Sequence, residues 1–311
     1  MASLRQGSIH LFRFAGIDVF LHWSWFLFAA FEISNRAKSY SSLSWNVLEY
    51  LALFFIVLLH EYGHALACRQ VGGTANYIML WPLGGVAYVN PPLRPGATLW
   101  SLAAGPLVNV ALLFVFFPLG IILDRSLGLA KTAPDVHSFL MALLVINLVL
   151  LGFNLLPIFP LDGGQILRSL LWFVVGRARS LMAASVIGFV GVVGLLLLAA
   201  WMHSVWIGIL GVFILSSCWG GLRQAQALYR LAAMPRHEGF ACPSCKAAPP
   251  VGKFWKCGRC AEPFDTFQTR AVCPHCAAQV AVTTCPDCHA HSPLTDWIVG
   301  IPVPADPLVT P

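Results

Sequence analysis

The chain has 311 residues, of which 58% are hydrophobic and only 10% charged, and its 19 Lys and Arg against 13 Asp and Glu leave a net charge of +6. With a mean hydropathy of +0.75, this excludes a soluble domain and describes a polytopic membrane protein. The positive excess is spread thinly over loops, so it reports orientation in the bilayer more than an anionic partner.

No cleavable signal peptide is expected, because Met1 to Asp18 carries Arg5 and Arg13 and no small-residue cleavage site precedes a mature domain. Gly7 to Gly16 reads as a short amphipathic lead. Ile17 to Phe31 opens a first span with aromatic residues, and His22, at its interface. After a polar loop through Arg36 and Lys38, Trp45 to Ala67 reads as the second span. It carries His60-Glu61-Tyr62-Gly63-His64 near its far end.

On a helix, histidines four residues apart share one face one turn apart, where both rings reach a single metal ion. Glu61 lies beside them without having to be a ligand. A charge at the bilayer centre costs roughly 2.5 to 3.5 kcal/mol, and a bound metal is the simplest compensation. Zinc accepts neutral imidazoles and lowers the pKa of a bound water to about 7, and a neighbouring carboxylate can take that water's proton. The pattern therefore points to hydrolytic chemistry.

Gly72 to Val89 is too broken by glycine and proline for a spanning helix and reads as short strands around the Gly84-Gly85 turn. Irregular backbone at membrane depth must be buried in protein or line a water-filled cavity. Such a segment either lines a cavity and offers a strand edge to an extended peptide, or merely connects helices at the interface. The third span, Trp100 to Leu123, opens with Ala103-Ala-Gly-Pro-Leu-Val-Asn109, whose small residues let another helix approach. Asn109 is expected to tie helices together.

The fourth span, His137 to Phe153, runs into Asn154-Leu-Leu-Pro-Ile-Phe-Pro-Leu-Asp162-Gly-Gly. Two prolines and two glycines break the helix around one carboxylate, which either ligates something or caps the short helix that follows. Leu181 to Trp201 is the fifth span. A turn near His203 leads to the sixth, Val205 to about Leu222, with its helix continuing toward Leu231. With the N-terminus inside, ten arginines fall on the inner side against Arg36, Lys38, Arg125 and Lys131 outside, which places both termini in the cytoplasm.

Beyond residue 240 come Cys242-x-x-Cys245, Cys257-x-x-Cys260, Cys273-x-x-Cys276 and Cys285-x-x-Cys288. In an oxidising compartment they could be disulfides. In a reducing cytoplasm this spacing signals two four-cysteine structural zinc sites, because thiolates fill all four tetrahedral positions. Sequential pairing would give tandem ribbons, and spacing alone leaves interleaved pairing open. From Arg236 to Asp296 six basic residues face five acidic ones, which is no phosphate-binding face. Phe254, Trp255, Phe264 and Phe267 suit a protein partner better, such as a cytoplasmic regulator or a substrate's juxtamembrane segment, although some of them must fill the small ribbon cores. Ser292 to Pro311 is proline-rich, has no periodicity and is expected to be disordered or extended.

These motifs together resemble the site-2 protease family of intramembrane zinc metalloproteases. The resemblance covers about Phe14 to Leu171: Gly-Ile-x-Val-x-Leu-His, His-Glu-Tyr-Gly-His, Leu-Trp-Pro-Leu-Gly-Gly-Val-Ala, Ala-Ala-Gly-Pro-Leu-Val-Asn and Asn-Leu-Leu-Pro-Ile-Phe-Pro-Leu-Asp-Gly-Gly. It implies His60, His64 and Asp162 as zinc ligands and Glu61 as general base. It also implies that Asn154 holds the substrate backbone or the developing oxyanion, and that an extended substrate lies beside Gly84 and Gly85. The double zinc ribbon departs from the family pattern. The expected fold is an α-helical polytopic membrane protein of about six transmembrane helices with a short membrane-associated β segment and a small C-terminal double zinc-ribbon domain. The domains are expected at 1–235 (protease), 236–291 (ribbons) and 292–311 (proline-rich tail), with one catalytic and two structural zinc ions. The substrates would be transmembrane proteins met in a bacterial cytoplasmic membrane. A non-catalytic scaffold, a metal-binding adaptor or a metal transporter are the competing classes, and neither the Leu-Asp-Gly-Gly break nor Glu61 is needed by them.

Overall fold

The computed structural model describes residues 7–36, 39–81 and 84–299. It divides into two compact units, Met1–Ala225 and Gln226–Pro311. The first begins with β1 (Ser8–Phe14) and β2 (Ile17–His22), followed by α1 (Ser24–Asn35) and the long α2 (Leu43–Gln70). Next come β3 (Thr74–Trp81), β4 (Gly84–Asn90), α3 (Pro95–Leu127), the single turn α4 (Leu129–Thr132) and α5 (Pro134–Asn154). The helices α6 (Asp162–Val175), α7 (Arg177–Trp201) and α8 (Val205–Ala232) follow.

Five helices among the described residues are long and apolar enough to cross a membrane: Leu43–Gln70, Pro95–Leu127, Pro134–Asn154, Arg177–Trp201 and Ile207–Ala232. Their outward side chains are apolar and exposed, as in Phe114, Val190 and Leu197, because lipid is their solvent. The expected first span is different. Ile17 to His22 alternates buried and half-buried residues, with Ile17 and Val19 fully covered, and that period of two makes a strand. Only the 12 residues of α1 are helical, about 18 Å of rise against a hydrocarbon core of about 30 Å. The amphipathic lead likewise is strand β1.

The four strands form one sheet in the order β1-β2-β3-β4, antiparallel except for the parallel β2–β3 pair. Gly84 and Gly85 are the first residues of β4, opposite Trp81 and Leu80; the turn itself, at 82–83, lies outside the described residues. The sheet packs on α2 through Ile17, Val19, Ile78 and Leu80 against Val57, Leu58, Ala65 and Cys68. Arg69, near the end of α2, donates to the carbonyls of Ala15, Gly16 and Ala75, fixing both the β1–β2 turn and β3 to that helix. β4 is thereby left at the sheet's edge alongside α2.

Pro95 opens α3 at its first turn, where a missing N–H costs nothing, and Gly128 at φ 57° closes it. After α5 the chain turns through Leu155 to Leu161 and enters α6. A side chain at Gly163 or Gly164 would strike the backbone of Leu155 or Ile158–Phe159, so the two glycines let α6 start tightly against that loop. This sets the height of Asp162.

In the second unit each Cys-x-x-Cys folds as a knuckle. The N–H four residues after the first cysteine returns to that cysteine's carbonyl, at Lys246, Ala261, Ala277 and His289. Those four residues all have positive φ, between 55° and 62°. Two hairpins, β5 (Trp255–Lys256) with β6 (Pro263–Phe264) and β7 (Thr283–Thr284) with β8 (His291–Ser292), complete the knuckles. Residues 292–299, expected to be disordered or extended, instead fold back. Ala241 N–H donates to Trp297 O at 2.8 Å, and Trp297 is fully buried among Phe240, Trp255 and Phe267. A large indole outweighed the proline content there. The rest of the expected proline-rich tail, 300–311, lies outside the described residues.

Candidate metal centre

One turn of α2 carries His60, Glu61 and His64, each about 95% buried, and the start of α6 brings Asp162 to them. His60 Nε2 lies 3.0 Å and His64 Nε2 3.2 Å from Asp162 Oδ2, and the two Nε2 atoms are 3.1 Å apart. Asp162 is the first residue of α6, and its carboxylate faces the histidines. Ligand atoms held 2.0–2.1 Å from one tetrahedral ion stand about 3.3 Å apart, so the three atoms have the spacing of one face of such a site.

The protons support the same fit. His64 Nδ1 sits 2.8 Å from the carbonyl of Ser101, which can only accept, so Nδ1 carries the proton and Nε2 a lone pair. His60 Nδ1 faces Asn109 Oδ1 at 2.5 Å, with the same consequence. With both imidazoles neutral, two nitrogen lone pairs and a carboxylate oxygen converge, an arrangement that a cation relieves. This donor set suits zinc.

Gly105 on α3 leaves room for it. A Cβ there would fall 2.2 Å from His64 Nε2 and 2.7 Å from His60 Nε2, in the space between the ligand atoms. Glu61 points to the sheet instead, its Oε2 accepting from the Ala87 N–H of β4 at 2.7 Å. Gly85 lies against the same carboxylate, since its Cβ would stand 2.3 Å from Glu61 Cγ and 2.6 Å from Oε1. Asn154 ends α5, half-buried and without a side-chain hydrogen bond among the described residues. His22 bonds Ser24 Oγ at 2.5 Å and stacks on Trp81 at 4.2 Å, a structural place between β2 and β3.

Ser101 and Asn147 belong to this site without any motif in the sequence to mark them; Gly105, expected only to let another helix approach, and Asn109, expected only to tie helices together, belong to it as well. Asn147 is as polar and as deep in an apolar span as Asn109, and that signal was available for both.

The eight tail cysteines form two clusters, and their pairing is nested. Cys242 and Cys245 join Cys285 and Cys288, while Cys257 and Cys260 join Cys273 and Cys276. Sulfur pairs stand 3.6 Å (Cys242–Cys288), 3.8 Å (Cys245–Cys285), 3.6 Å (Cys257–Cys276) and 3.6 Å (Cys260–Cys273) apart. Four thiolates at 2.3 Å from one zinc would be about 3.8 Å apart, so both clusters fit a closed structural site.

Residues 49–126 and 126–198 match the model of peptidase family M50. The chain is 36% identical to a zinc metalloprotease of Methanocaldococcus jannaschii over 58% of its own length and 50% of that protein's. It is 32% identical to a putative zinc metalloprotease of Mycobacterium tuberculosis, over 54% of this chain and 44% of the other. A second, putative zinc metalloprotease of M. jannaschii is 43% identical over 38% of this chain and 69% of its own. The chain spans about half the length of the first two of these relatives. Among solved structures it resembles a site-2 protease from M. jannaschii, with a TM-score of 0.51 and 29% identity, covering 69% of this chain and 95% of that one.

Proposed function

The chain belongs to peptidase family M50, and from that premise we propose that it is an intramembrane zinc metalloprotease that hydrolyses peptide bonds in or beside the transmembrane segments of membrane proteins. The observation that carries the reading is the convergence of three ligand atoms, from His60, His64 and Asp162, beside a buried carboxylate that is not among them. Zinc bound there supplies Lewis-acid chemistry, polarising the scissile carbonyl and lowering the pKa of water. Glu61 is the general base. Ala87 N–H holds its Oε2, which leaves Oε1 to take a proton from the attacking water and to pass it to the amine nitrogen as the C–N bond breaks.

The scissile segment must be extended, because a helical backbone hides its carbonyls. β4 is an edge strand and contacts Glu61 through Ala87, so a substrate strand laid along Gly84–Ala87 passes the base. Asn154, at the turn leading to Asp162, is proposed to hold the substrate backbone or oxyanion. The two nested cysteine clusters are proposed to hold structural zinc, and the tail to be a cytoplasmic protein-binding module, with the C-terminus inside a bacterial cytoplasmic membrane. The near balance of charge in the tail and the excess of inner arginines support this. We place the working division near residue 235, with the protease before it.

Purified protein and its Glu61→Gln variant, assayed on a panel of single-span membrane proteins with zinc counted per chain, test the activity. The variant should keep wild-type zinc and lose at least about 100-fold in cleavage. Undiminished cleavage by Glu61→Gln would remove the base assignment. Truncation before Arg236 should change which substrates are cut, or how fast, while leaving the histidine site loaded. Nucleic-acid binding by the tail, without any effect of its removal on cleavage, would refute the protein-binding role.

A further inference from the structure

Behind His60 lies a chain of buried amides whose direction can be read from one end. It begins at the backbone carbonyl of Asn109 in α3, which can only accept. Asn147 of α5 donates its Nδ2 to that carbonyl at 2.8 Å. With Nδ2 committed there, Asn147 Oδ1 is the atom that faces Asn109, and it accepts from Asn109 Nδ2 at 2.8 Å. Asn109 Oδ1 is then the atom left for His60 Nδ1, at 2.5 Å. Both asparagines are fully buried, so no water competes for these groups.

Reversing the order shows what the chain prevents. If the Asn109 amide turned over, its Nδ2 would face His60 Nδ1 and the ring proton would move to Nε2. There it stands 3.0 Å from Asp162 Oδ2 and would be donated to that carboxylate. One ligand would lose its lone pair and a second would be occupied. His64 needs no such device, because its Nδ1 meets the backbone carbonyl of Ser101 directly.

We propose that Asn147, which reaches no metal ligand itself, is a positioning residue that sets the tautomer of His60 through Asn109 and so keeps the centre competent for metal. The inference rests on the metal-centre reading above and is independent of what the enzyme cuts. A partner's orientation that fixes a ligand's tautomer is worth about 10- to 100-fold in metal affinity.

The test is a double-mutant cycle on the full-length protein, read as zinc retained against a graded series of chelator concentrations, with His60→Ala marking the equivalents that belong to this site. Asn147→Leu should weaken zinc about 10- to 100-fold. Asn109→Asp should hold zinc within about threefold, because either carboxylate oxygen accepts from Nδ1. In the Asn109→Asp background, Asn147→Leu should cost little more, since no amide is left to turn over. A packing role for Asn147 predicts instead that its cost is the same in both backgrounds, and that result would overturn the proposal, as would wild-type affinity in Asn147→Leu. Should the leucine variant fail to fold, Asn147→Ala, which only opens space, enters the same cycle with the same expectation. Absence of proteolysis in every variant, wild type included, would defeat the protease reading while leaving the zinc cycle to stand or fall by itself.

Discussion

Gly105→Ala adds one methyl group at the most constrained point of the structure. The new carbon would lie 2.2 Å from His64 Nε2, 2.5 Å from His64 Cε1 and 2.7 Å from His60 Nε2, all well inside van der Waals contact. It would occupy the volume a zinc ion needs, because Zn–N bonds are 2.0–2.1 Å long. Relief requires α3 to move away by about 1 Å or both rings to rotate. Rotation would break the bonds to Ser101 and Asn109. Withdrawal is resisted because the same face of α3 meets α2 backbone to backbone at Gly63 and Ala104. Overpacking of this kind costs about 1–3 kcal/mol of stability, a tolerable amount, whereas a 1 Å displacement of a catalytic group costs about 100-fold in rate. The variant should therefore remain folded, lose zinc from the histidine site and lose at least about 100-fold in cleavage. Thermal unfolding in detergent, zinc per chain and turnover on one substrate check the three parts. Gly152→Ala and Gly194→Ala, where a Cβ meets nothing within 4 Å, are the controls. Wild-type zinc affinity in Gly105→Ala would show that the ligands do not converge against α3 as described.

Gly85→Ala should separate the base from the metal: its methyl would press on Glu61 Cγ at 2.3 Å, so zinc stays while cleavage falls, and loss of zinc would contradict the separation. The nested cysteine pairing predicts that Cys242→Ala and Cys285→Ala each remove one and the same zinc equivalent, with no further loss in the double variant; tandem ribbons would lose two. Asp265, 4% exposed, accepts from the N–H groups of Gly252, Phe267 and Gln268 and from His237. Burial alone would push its carboxyl up, but the Gly252 N–H and His237 outweigh that and hold it below the usual carboxylate range. A depressed pKa stabilises the fold above the unfolded value of about 4 and loses that contribution as pH falls through the folded value. Hydrogen exchange of residues 237–299 should therefore show Asp265→Asn destabilised at pH 7, with the gap to wild type closing below about pH 4. A gap that does not change with pH would refute the assignment.

Much of the site was legible because its signals are local. Histidines four apart on a helix share a face whatever surrounds them, and a lone carboxylate between prolines and glycines in an apolar stretch must be compensated. The cysteine knuckles are local as well, each closed within five residues. Long apolar helices announce themselves for the same reason, since lipid contact imposes composition along one continuous segment.

Whatever depended on distant partners was decided by the tertiary structure. Ile17 to Phe31 reads as the opening of a span, and only pairing with β1 and β3 makes Ile17–His22 a strand. Equal Cys-x-x-Cys spacings carry no information about which knuckle meets which, and only the folded tail brings Cys242 and Cys245 to Cys285 and Cys288. The sequence by itself determined that His60 and His64 could share a metal, and it left Asp162 as either a ligand or a helix cap, with the family resemblance implying the ligand. Only the approach of α3 and α5 decided that both rings present lone pairs, because a tautomer is set by the hydrogen bond on the far side of the ring, and those partners, Ser101, Asn109 and Asn147, are 37 to 49 residues from the groups they orient.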